Sequence, residues 1–305
     1  MRGMRALVVL LALTVTSLGV VSEQTFRGGV SLVRVPVVVT AKDGALVRGL
    51  SKDDFQVSED GKPQRVQLFT SGADGAGVDA GPLHVGLLLD VSGSMTADLA
   101  QASTAAARFV NALDEAEDVT LVDFDDQVRV ARFRPAQYER LFERIRSRKA
   151  DGNTALYDAI AMYIQSVAGQ EGQKVLLLYT DGGDSTSALG YGQLLKMLKS
   201  NDVLVYSIGY LNSMTRMGQA QMQLAEMARQ TGGDSYFPED ARQLNGIYAK
   251  ILDELSSRYT LGYLPTSTAE DGKWRKIEIK LTRPELQKAK VRTRLGYFAG
   301  AQVHR

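Results

Sequence analysis

The stretch LHVGLLLDVSGSM, residues 83–95, decides the fold class of this 305-residue chain. Its opening part, 83–89, is a nearly continuous apolar run, which is typical of a parallel strand buried on both faces of a sheet. The run ends at Asp90, where small and polar residues take over. Further apolar runs follow at 175–179 and 203–208. The pattern predicts a buried parallel sheet whose strands end in polar loops.

Amphipathic segments separate these strands. In the first segment, Leu99, Ala102, Ala106 and Phe109 recur at the spacing of one helix face. On this basis helices are predicted at 96–113, 138–145, 155–167, 191–198, 217–229 and 244–255. A β-hairpin is predicted from strands at 119–124 and 128–133. Because a parallel connection has to cross over the sheet, the alternation specifies an α/β fold with a doubly wound, mostly parallel sheet.

Sequence typical of β-strands flanks this α/β region on both sides. Strands are predicted at 30–40, 55–57, 66–69, 259–263, 274–281 and 291–297. Residues 71–81 contain four glycines, the composition of a flexible linker. We therefore divide the chain into an N-terminal β segment (23–70), this linker (71–81), a central α/β domain (82–257) and a C-terminal β segment (258–305). We hypothesise that the two short β segments pair into one small β-sandwich that neither could form alone.

The first 22 residues have the pattern of a signal peptide. Arg2 and Arg5 precede an uncharged apolar run at 6–21, and Ser22 is a small residue before a potential cleavage site at Glu23. The run is shorter than the roughly 20 residues that a membrane span needs. We expect an exported protein, periplasmic or secreted. An uncleaved N-terminal anchor is the alternative, and only then would the protein be attached to a membrane.

The composition excludes several classes of function. The 36 Lys and Arg residues nearly balance 35 Asp and Glu, so no global field would attract nucleic acid. The absence of cysteine rules out disulfides, thiol catalysis and Cys-ligated metals. The two histidines, His84 and His304, lie in a predicted strand and at the penultimate position, which argues against a catalytic triad or a multi-His metal centre. Nucleotide-binding fingerprints are absent as well.

Candidate metal ligands follow the predicted strands and precede one predicted helix. Asp90, Ser92 and Ser94 come after the first buried strand, Thr154 precedes a helix, and Asp181 follows a later strand. In doubly wound folds, ligands bind beyond the carboxyl ends of the strands. These five side chains offer only oxygen, which favours Mg²⁺, with Mn²⁺ and Ca²⁺ as alternatives, and does not suit zinc or copper.

The five residues resemble the metal-ion-dependent adhesion site (MIDAS) of von Willebrand factor type A (vWA) domains. The pattern of that site is Asp-x-Ser-x-Ser with a distant Thr and a distant Asp, and the surrounding words DVSGSM, GNTALYDAI and TDGGD match as well. The resemblance covers roughly residues 82–255 and implies a Rossmann-like fold. The flanking words DFQVSEDGKPQ, RYTLGY and RTRLGYF resemble a family of exported bacterial proteins related to this domain.

The resemblance also implies a role for each ligand. Ser92 and Ser94 would bind the metal directly, Thr154 directly or through water, and Asp90 and Asp181 mostly through waters. An ion held mainly by neutral groups keeps much of its charge and attracts one more anionic ligand. We therefore expect a binding module, not an enzyme, that captures an Asp or Glu of an unidentified protein partner.

Other interpretations remain open at the level of the sequence. A metal-dependent hydrolase such as a phosphatase is one alternative, although Ser92 stands where that chemistry would need a second Asp. A scaffold stabilised by a metal is another. Singly, the Asp-x-Ser-x-Ser motif and Thr154 could be helix caps. Asp184 and the pair Asp125 and Asp126 are interpreted as solvated turn residues.

Overall fold

The computed structural model describes residues 32–72, 81–113, 116–181, 183–209, 217–239 and 241–300. The predicted signal peptide, the linker residues 73–80 and His304 lie outside these ranges. The strands are β1 (Val33–Thr40), β2 (Phe55–Glu59), β3 (Lys62–Gln64), β4 (Val66–Ser71), β5 (Leu83–Asp90), β6 (Ala116–Phe124), β7 (Val128–Phe133), β8 (Gln173–Thr180), β9 (Val203–Gly209), β10 (Ser235–Tyr236), β11 (Tyr259–Tyr263), β12 (Trp274–Leu281), β13 (Lys290–Thr293) and β14 (Gly296–Phe298). The helices are α1 (Leu99–Asn111), α2 (Tyr138–Ser147), α3 (Leu156–Ser166), α4 (Tyr191–Ser200), α5 (Met217–Thr231) and α6 (Leu244–Ser257). Within the described ranges, no helix has the length and apolar character that a membrane crossing requires.

The central sheet has six strands in the order β10-β9-β8-β5-β6-β7. All neighbouring pairs are parallel except β6 and β7, which form the predicted antiparallel hairpin. Helices α1, α2 and α6 pack on the face that carries Leu87 and Leu89, whereas α3, α4 and α5 pack on the face that carries Leu88. Both faces of β5 are therefore buried, which explains its unbroken apolar run. The predicted doubly wound fold is confirmed.

The two β segments pair with each other, as hypothesised. Strands from the two ends of the chain alternate in one sheet, ordered β13-β1-β11-β4. In a second sheet, ordered β14-β12-β2-β3, a C-terminal pair of strands joins an N-terminal pair through β12 and β2. One apolar core lies between the sheets, and within it the rings of Phe55 and Tyr259 approach to 5.2 Å. Long-range pairing of this kind lets two short segments share a core that neither could bury alone. The predicted β-sandwich is thus present.

The strand predicted at 291–297 is wrong, because this stretch contributes to both sheets. Strand β13 pairs with β1 in one sheet, and β14 pairs with β12 in the other. Between them, Arg294 is buried and its Nε donates to the Gly296 carbonyl at 2.9 Å. Gly296 lies against the Trp274 ring, where an added Cβ would approach the ring carbons to 2.6 Å. The alternation of apolar and polar residues is the same whether an extended run stays in one sheet or passes into another, so the sequence does not show this change.

Charged groups join the sandwich to the central domain. Arg292 on β13 forms ion pairs with Asp234 and with the buried Glu254 of α6. Arg48 pairs with Asp253 of the same helix at 2.5 Å. The chain then passes from α6 into β11 with a single residue between them. These contacts fix the orientation of the last helix of the α/β domain relative to the sandwich.

We predict that Gly86→Ala destabilises the fold. A Cβ at Gly86, in the middle of β5, would come within 2.3 Å of the Tyr163 ring, whose hydroxyl donates to the Val175 carbonyl. Overpacking of this kind costs about 1–3 kcal/mol in free energy of unfolding, measurable by urea denaturation. As a control, Gly192→Ala on α4 meets open space and should be neutral or stabilising. Equal stability of Gly86→Ala and the unmodified protein would contradict the packing described here.

Candidate metal centre

Asp90 ends β5, the strand at the middle of the central sheet, and its carboxylate is completely buried. The neighbouring strand β8 ends at Thr180, and the parallel register pairs Leu89 with Tyr179. This register brings the Thr180 hydroxyl to Asp90, where it donates to Oδ2 at 2.6 Å. The backbone N–H of Ser92 donates to Oδ1 at 2.9 Å. The strand ends therefore orient the carboxylate through both of its oxygens.

The Asp90 carboxylate lacks a cationic partner among the ion pairs of the described residues. Burial, helped by the nearby charge of Asp181 and opposed by hydrogen bonds from Ser92 and Thr180, raises its pKa to about 6. A buried charge without compensation is costly, and proteins normally pair it or coordinate it to a metal. The electrostatics of this position therefore fit a bound cation.

Ser92 and Ser94 place two hydroxyls beside this carboxylate. Their Oγ atoms lie 3.1 Å apart, with Ser92 buried and Ser94 exposed. The segment Gly93–Ala97 is a 3-10 turn closed by a hydrogen bond from the Thr96 hydroxyl to the Gly93 carbonyl at 2.6 Å. Helix α1 consequently begins at Leu99 and not at residue 96 as predicted. Ser92 precedes this turn without a side-chain capping bond, so its hydroxyl is not used as a cap.

Thr154 lies in a loop that contacts both of the other candidate loops. On one side, the Gly93 N–H donates to the Gly152 carbonyl at 3.0 Å. On the other side, the Thr154 N–H donates to Ser185 Oγ at 3.0 Å, and the Thr154 carbonyl accepts from the Ser185 N–H at 2.9 Å. Ala155, not Thr154, is the N-cap of α3. Within the described residues, no hydrogen bond joins the Thr154 hydroxyl to the other four side chains.

The structure thus brings the candidates together to different degrees. Asp90, Ser92 and Ser94 are linked by direct hydrogen bonds. Asp181 follows β8, is half-buried, and lies close enough to affect the charge on Asp90. Thr154 joins them through the backbone of its loop. Carboxylates and hydroxyls of this kind are ligands suited to Mg²⁺, Mn²⁺ or Ca²⁺.

Asp126, interpreted as a solvated turn residue, is exposed in the bend between β6 and β7, while Asp125 in the same bend and Asp184 in a loop are half-buried. All three also make hydrogen bonds to the segment that carries Thr154. Asp126 accepts two hydrogen bonds from Asn153, from its backbone N–H at 2.9 Å and from Nδ2 at 2.8 Å. Asp184 accepts from the Tyr157 N–H at 3.2 Å. The Asp125 carbonyl accepts from the N–H of Ala155 at 2.9 Å. These three aspartates fix the loop that carries Thr154, a role that only the three-dimensional contacts reveal.

Gly152 has to be glycine for this arrangement. Its φ is +73°, and an added Cβ would lie 2.2 Å from Asp126 Oδ2. Residues with a side chain rarely adopt this backbone conformation. In the Asp-Gly-Asn-Thr motif, Gly152 therefore permits the turn, and Asn153 supplies the side chain that Asp126 binds.

His84 occupies the opposite end of the sheet. Its Nδ1 lies 3.0 Å from Asp118 Oδ2, and its Nε2 lies 3.0 Å from the Glu171 carbonyl. A strand rises about 3.3 Å per residue, so His84 is about 20 Å from Asp90. Within the described ranges, no three His, Asp or Glu side chains cluster so as to hold a metal. A metal at the Asp90 end would therefore depend on hydroxyl ligands.

Comparison with protein-family models identifies the family of the central domain. Residues 84–250, more than half of the chain, match the model of the von Willebrand factor type A domain. The chain belongs to this family. A search of curated proteins found no match.

Solved structures with a similar fold include three proteins of different origin. A von Willebrand factor type A protein from Catenulispora acidiphila is 16% identical, with 68% of this chain and 51% of that chain covered and a TM-score of 0.49. An aerotolerance-related membrane protein from Bacteroides fragilis is 18% identical, covering 57% and 98%, with a TM-score of 0.46. Proximal thread matrix protein 1 from the mussel byssus, which has a zinc-occupied MIDAS motif, is 16% identical, covering 61% and 48%, with a TM-score of 0.47. This chain thus spans about half of the first and third of these proteins.

We predict that Asp90→Asn makes the metal-free protein more stable. Because the folded-state pKa of Asp90 is raised, its contribution to stability falls as the pH rises from about 4 through about 6, and the full penalty applies at pH 7. Removing the charge should increase the free energy of unfolding at pH 7 without metal by about 1–3 kcal/mol. Mg²⁺ should stabilise the unmodified protein but not this variant. A loss of stability without metal would indicate a purely structural carboxylate.

We also predict that Asp126→Ala weakens metal binding without unfolding the protein. The substitution removes two hydrogen bonds that fix Asn153 next to Thr154. Partners of this kind typically influence metal affinity by a factor of 10 or more, so we expect about a tenfold weaker Mg²⁺ affinity by calorimetry. Glu143→Ala, on the exposed face of α2, makes the same change in net charge and should leave the affinity unchanged. Equal effects of the two variants would refute the anchoring role.

Proposed function

We propose that this protein is an exported binding module that uses a divalent cation, Mg²⁺ in preference to Mn²⁺ or Ca²⁺, to capture an acidic residue of a partner protein. The observation that carries the proposal is the buried Asp90 carboxylate, which has no cationic partner among the described residues, beside the hydroxyls of Ser92 and Ser94. Membership of the von Willebrand factor type A family supports it. The partner is a protein that offers an Asp or Glu side chain.

The five candidate ligands would bind the ion in different ways. Ser92 and Ser94 would be direct ligands, Thr154 a direct or water-mediated ligand, and Asp90 and Asp181 mostly water-mediated ligands. A cation bound there supplies an open, positively charged coordination position for a carboxylate. The neutral hydroxyls leave its charge largely uncompensated. Helix α3 begins at Leu156, two residues after Thr154, and the positive end of its dipole favours an anion at the same place.

Binding is favoured over catalysis by the side chains that surround these ligands. The one histidine in the described part of the chain is His84, about 20 Å away and hydrogen-bonded to Asp118. Asp90 and Asp181 both face the proposed ion and would not be free to act as a general base. Ser92 stands where a phosphatase of this kind would need a second Asp.

Export and domain division belong to the same proposal. The pattern of residues 1–22 supports a cleaved signal peptide and a periplasmic or secreted location. The division of the remaining chain into a β segment (23–70), a linker (71–81), the α/β domain (82–257) and a second β segment (258–305) stays a prediction. It is supported by the end of α6 at Ser257 and the start of β11 at Tyr259.

We predict that metal uptake and acid binding are lost together in Ser92→Ala. Calorimetric titration with MgCl₂ should show one site in the unmodified protein and none in the variant. Mg²⁺-dependent capture of an immobilised Asp-containing peptide should disappear with the variant or with EDTA. Ser256→Ala removes an exposed hydroxyl on α6 and is the matched control.

The outcomes separate this function from its alternatives. No uptake of Mg²⁺, Mn²⁺ or Ca²⁺ by the unmodified protein would refute the metal site. Metal-dependent melting without any acid binding would support a structural metal, and metal-dependent turnover of p-nitrophenyl phosphate would support a hydrolase.

A further inference from the structure

Three arginines surround one buried carboxylate close to the proposed metal site. Arg129 Nε lies 2.7 Å from Asp123 Oδ2, Arg144 Nη2 lies 2.7 Å from Oδ1, and Arg148 Nε lies 3.0 Å from Oδ2. The Asp123 side chain is fully buried, whereas the three arginine side chains are 24–28% exposed. We call Arg129, Arg144 and Arg148 the arginine cluster. It reaches the protein surface although its central acid does not.

The arginine cluster carries more charge than its acidic partners compensate. The other acid paired with it in the described residues is Asp125, which accepts from Arg129 Nη1 at 3.1 Å and from Nη2 at 2.6 Å. Three guanidinium groups against two carboxylates leave a formal excess of one positive charge. Each guanidinium also has five N–H donors, more than two carboxylates can accept from three such groups. The Arg148 Nε is buried and makes no hydrogen bond within the described residues although it lies 3.0 Å from Asp123 Oδ2, so an external anion would contact the exposed remainder of this side chain.

The arginine cluster lies beside the loop of Ser92 and Ser94. Asp123 is paired with Leu89 in the β5–β6 register, one residue before the end of β5. Arg148 precedes Asp151 by three residues, and the Asp151 N–H donates to the Val91 carbonyl at 2.9 Å. Three extended residues span at most about 11 Å, so the Arg148 backbone lies within that distance of Asp151. One extended partner segment can therefore reach both places.

We infer that the arginine cluster is a second anion anchor, so that the module recognises two acidic residues on the same partner segment. One carboxylate would occupy the metal site and the other would bind the exposed guanidinium edges, chiefly that of Arg148. This inference rests on the proposed function. The partner is accordingly an acidic peptide segment with two carboxylates a few residues apart. Arginine forks suit this role because they bind carboxylates with charge-assisted hydrogen bonds.

The test uses a set of synthetic peptides. Capped peptides with two Asp residues separated by one to four glycines are compared with counterparts in which the second Asp is Asn. Affinities are measured by calorimetry with Mg²⁺ and with EDTA, at low and at moderate salt. We expect the best two-acid peptide to bind about tenfold more tightly than its counterpart in Mg²⁺, the gain of one charge-assisted contact. In EDTA it should retain weak, salt-sensitive binding.

Three variants test whether the gain in affinity from the second Asp comes from the arginine cluster. Arg148→Gln should abolish the advantage of the two-acid peptide and its residual binding in EDTA, while leaving the one-acid peptide and Mg²⁺ uptake unchanged. Arg148→Lys should keep part of the advantage. Arg146→Gln, at an exposed position of α2 two residues before Arg148, makes the same change in charge and should have no effect. Unfolding curves of the variants check that the protein stays folded, with Asp123 still paired with Arg129 and Arg144.

The results distinguish failure of this inference from failure of the proposed function. If the one-acid peptide binds with Mg²⁺ but the second acid adds nothing, or if Arg146→Gln matches Arg148→Gln, the second anchor is refuted while the metal site stands. If neither peptide responds to Mg²⁺, the proposed function fails.

Discussion

The arrangement at the carboxyl end of the sheet depends on one buried charge, the carboxylate of Asp90. Strand β5 carries it to the middle of the sheet, and both of its oxygens receive hydrogen bonds, from Ser92 and from Thr180. These bonds orient the group without neutralising it, and burial raises its pKa. A compact domain tolerates an isolated buried charge at considerable cost. A cation at this place would relieve that cost, which is the physical basis of the proposed metal site.

The loops around Asp90 are held together by hydrogen bonds to one another, independently of any ligand. The loop of Thr154 is bonded to Gly93 on one side and to Ser185 on the other, and Asp126 fixes its turn. Interlocking of this kind reduces the conformational entropy that would be lost on metal binding. The site is therefore built largely from backbone contacts on a rigid sheet.

Much of this could be predicted from the sequence, since apolar runs and helical spacing report directly on burial. The apolar run at 83–89 and the hairpin at 119–133 correctly predicted a mostly parallel sheet with one antiparallel pair. The flanking strands are too short to bury a core of their own, which predicted that they share one. The sequence could not show that 291–297 divides between two sheets, because alternation is the same in both. It also could not assign Asp126 or Asp184, whose partners Asn153 and Tyr157 lie far along the chain. Asp90, Ser92, Ser94 and Asp181 could be proposed as neighbours because strand ends in such folds meet at one edge, whereas Thr154 precedes a helix and was proposed as their neighbour from the resemblance.

The proposed metal site requires that oxygen ligands from distant parts of the chain converge on one ion. Anomalous diffraction from crystals of the protein soaked in MnCl₂ tests this most directly. We expect a single strong peak within bonding distance of the Ser92 and Ser94 hydroxyls, with the side chains of Asp90, Thr154 and Asp181 facing it. A map without a peak at that position, or with these side chains turned away from one another, would contradict the central claim.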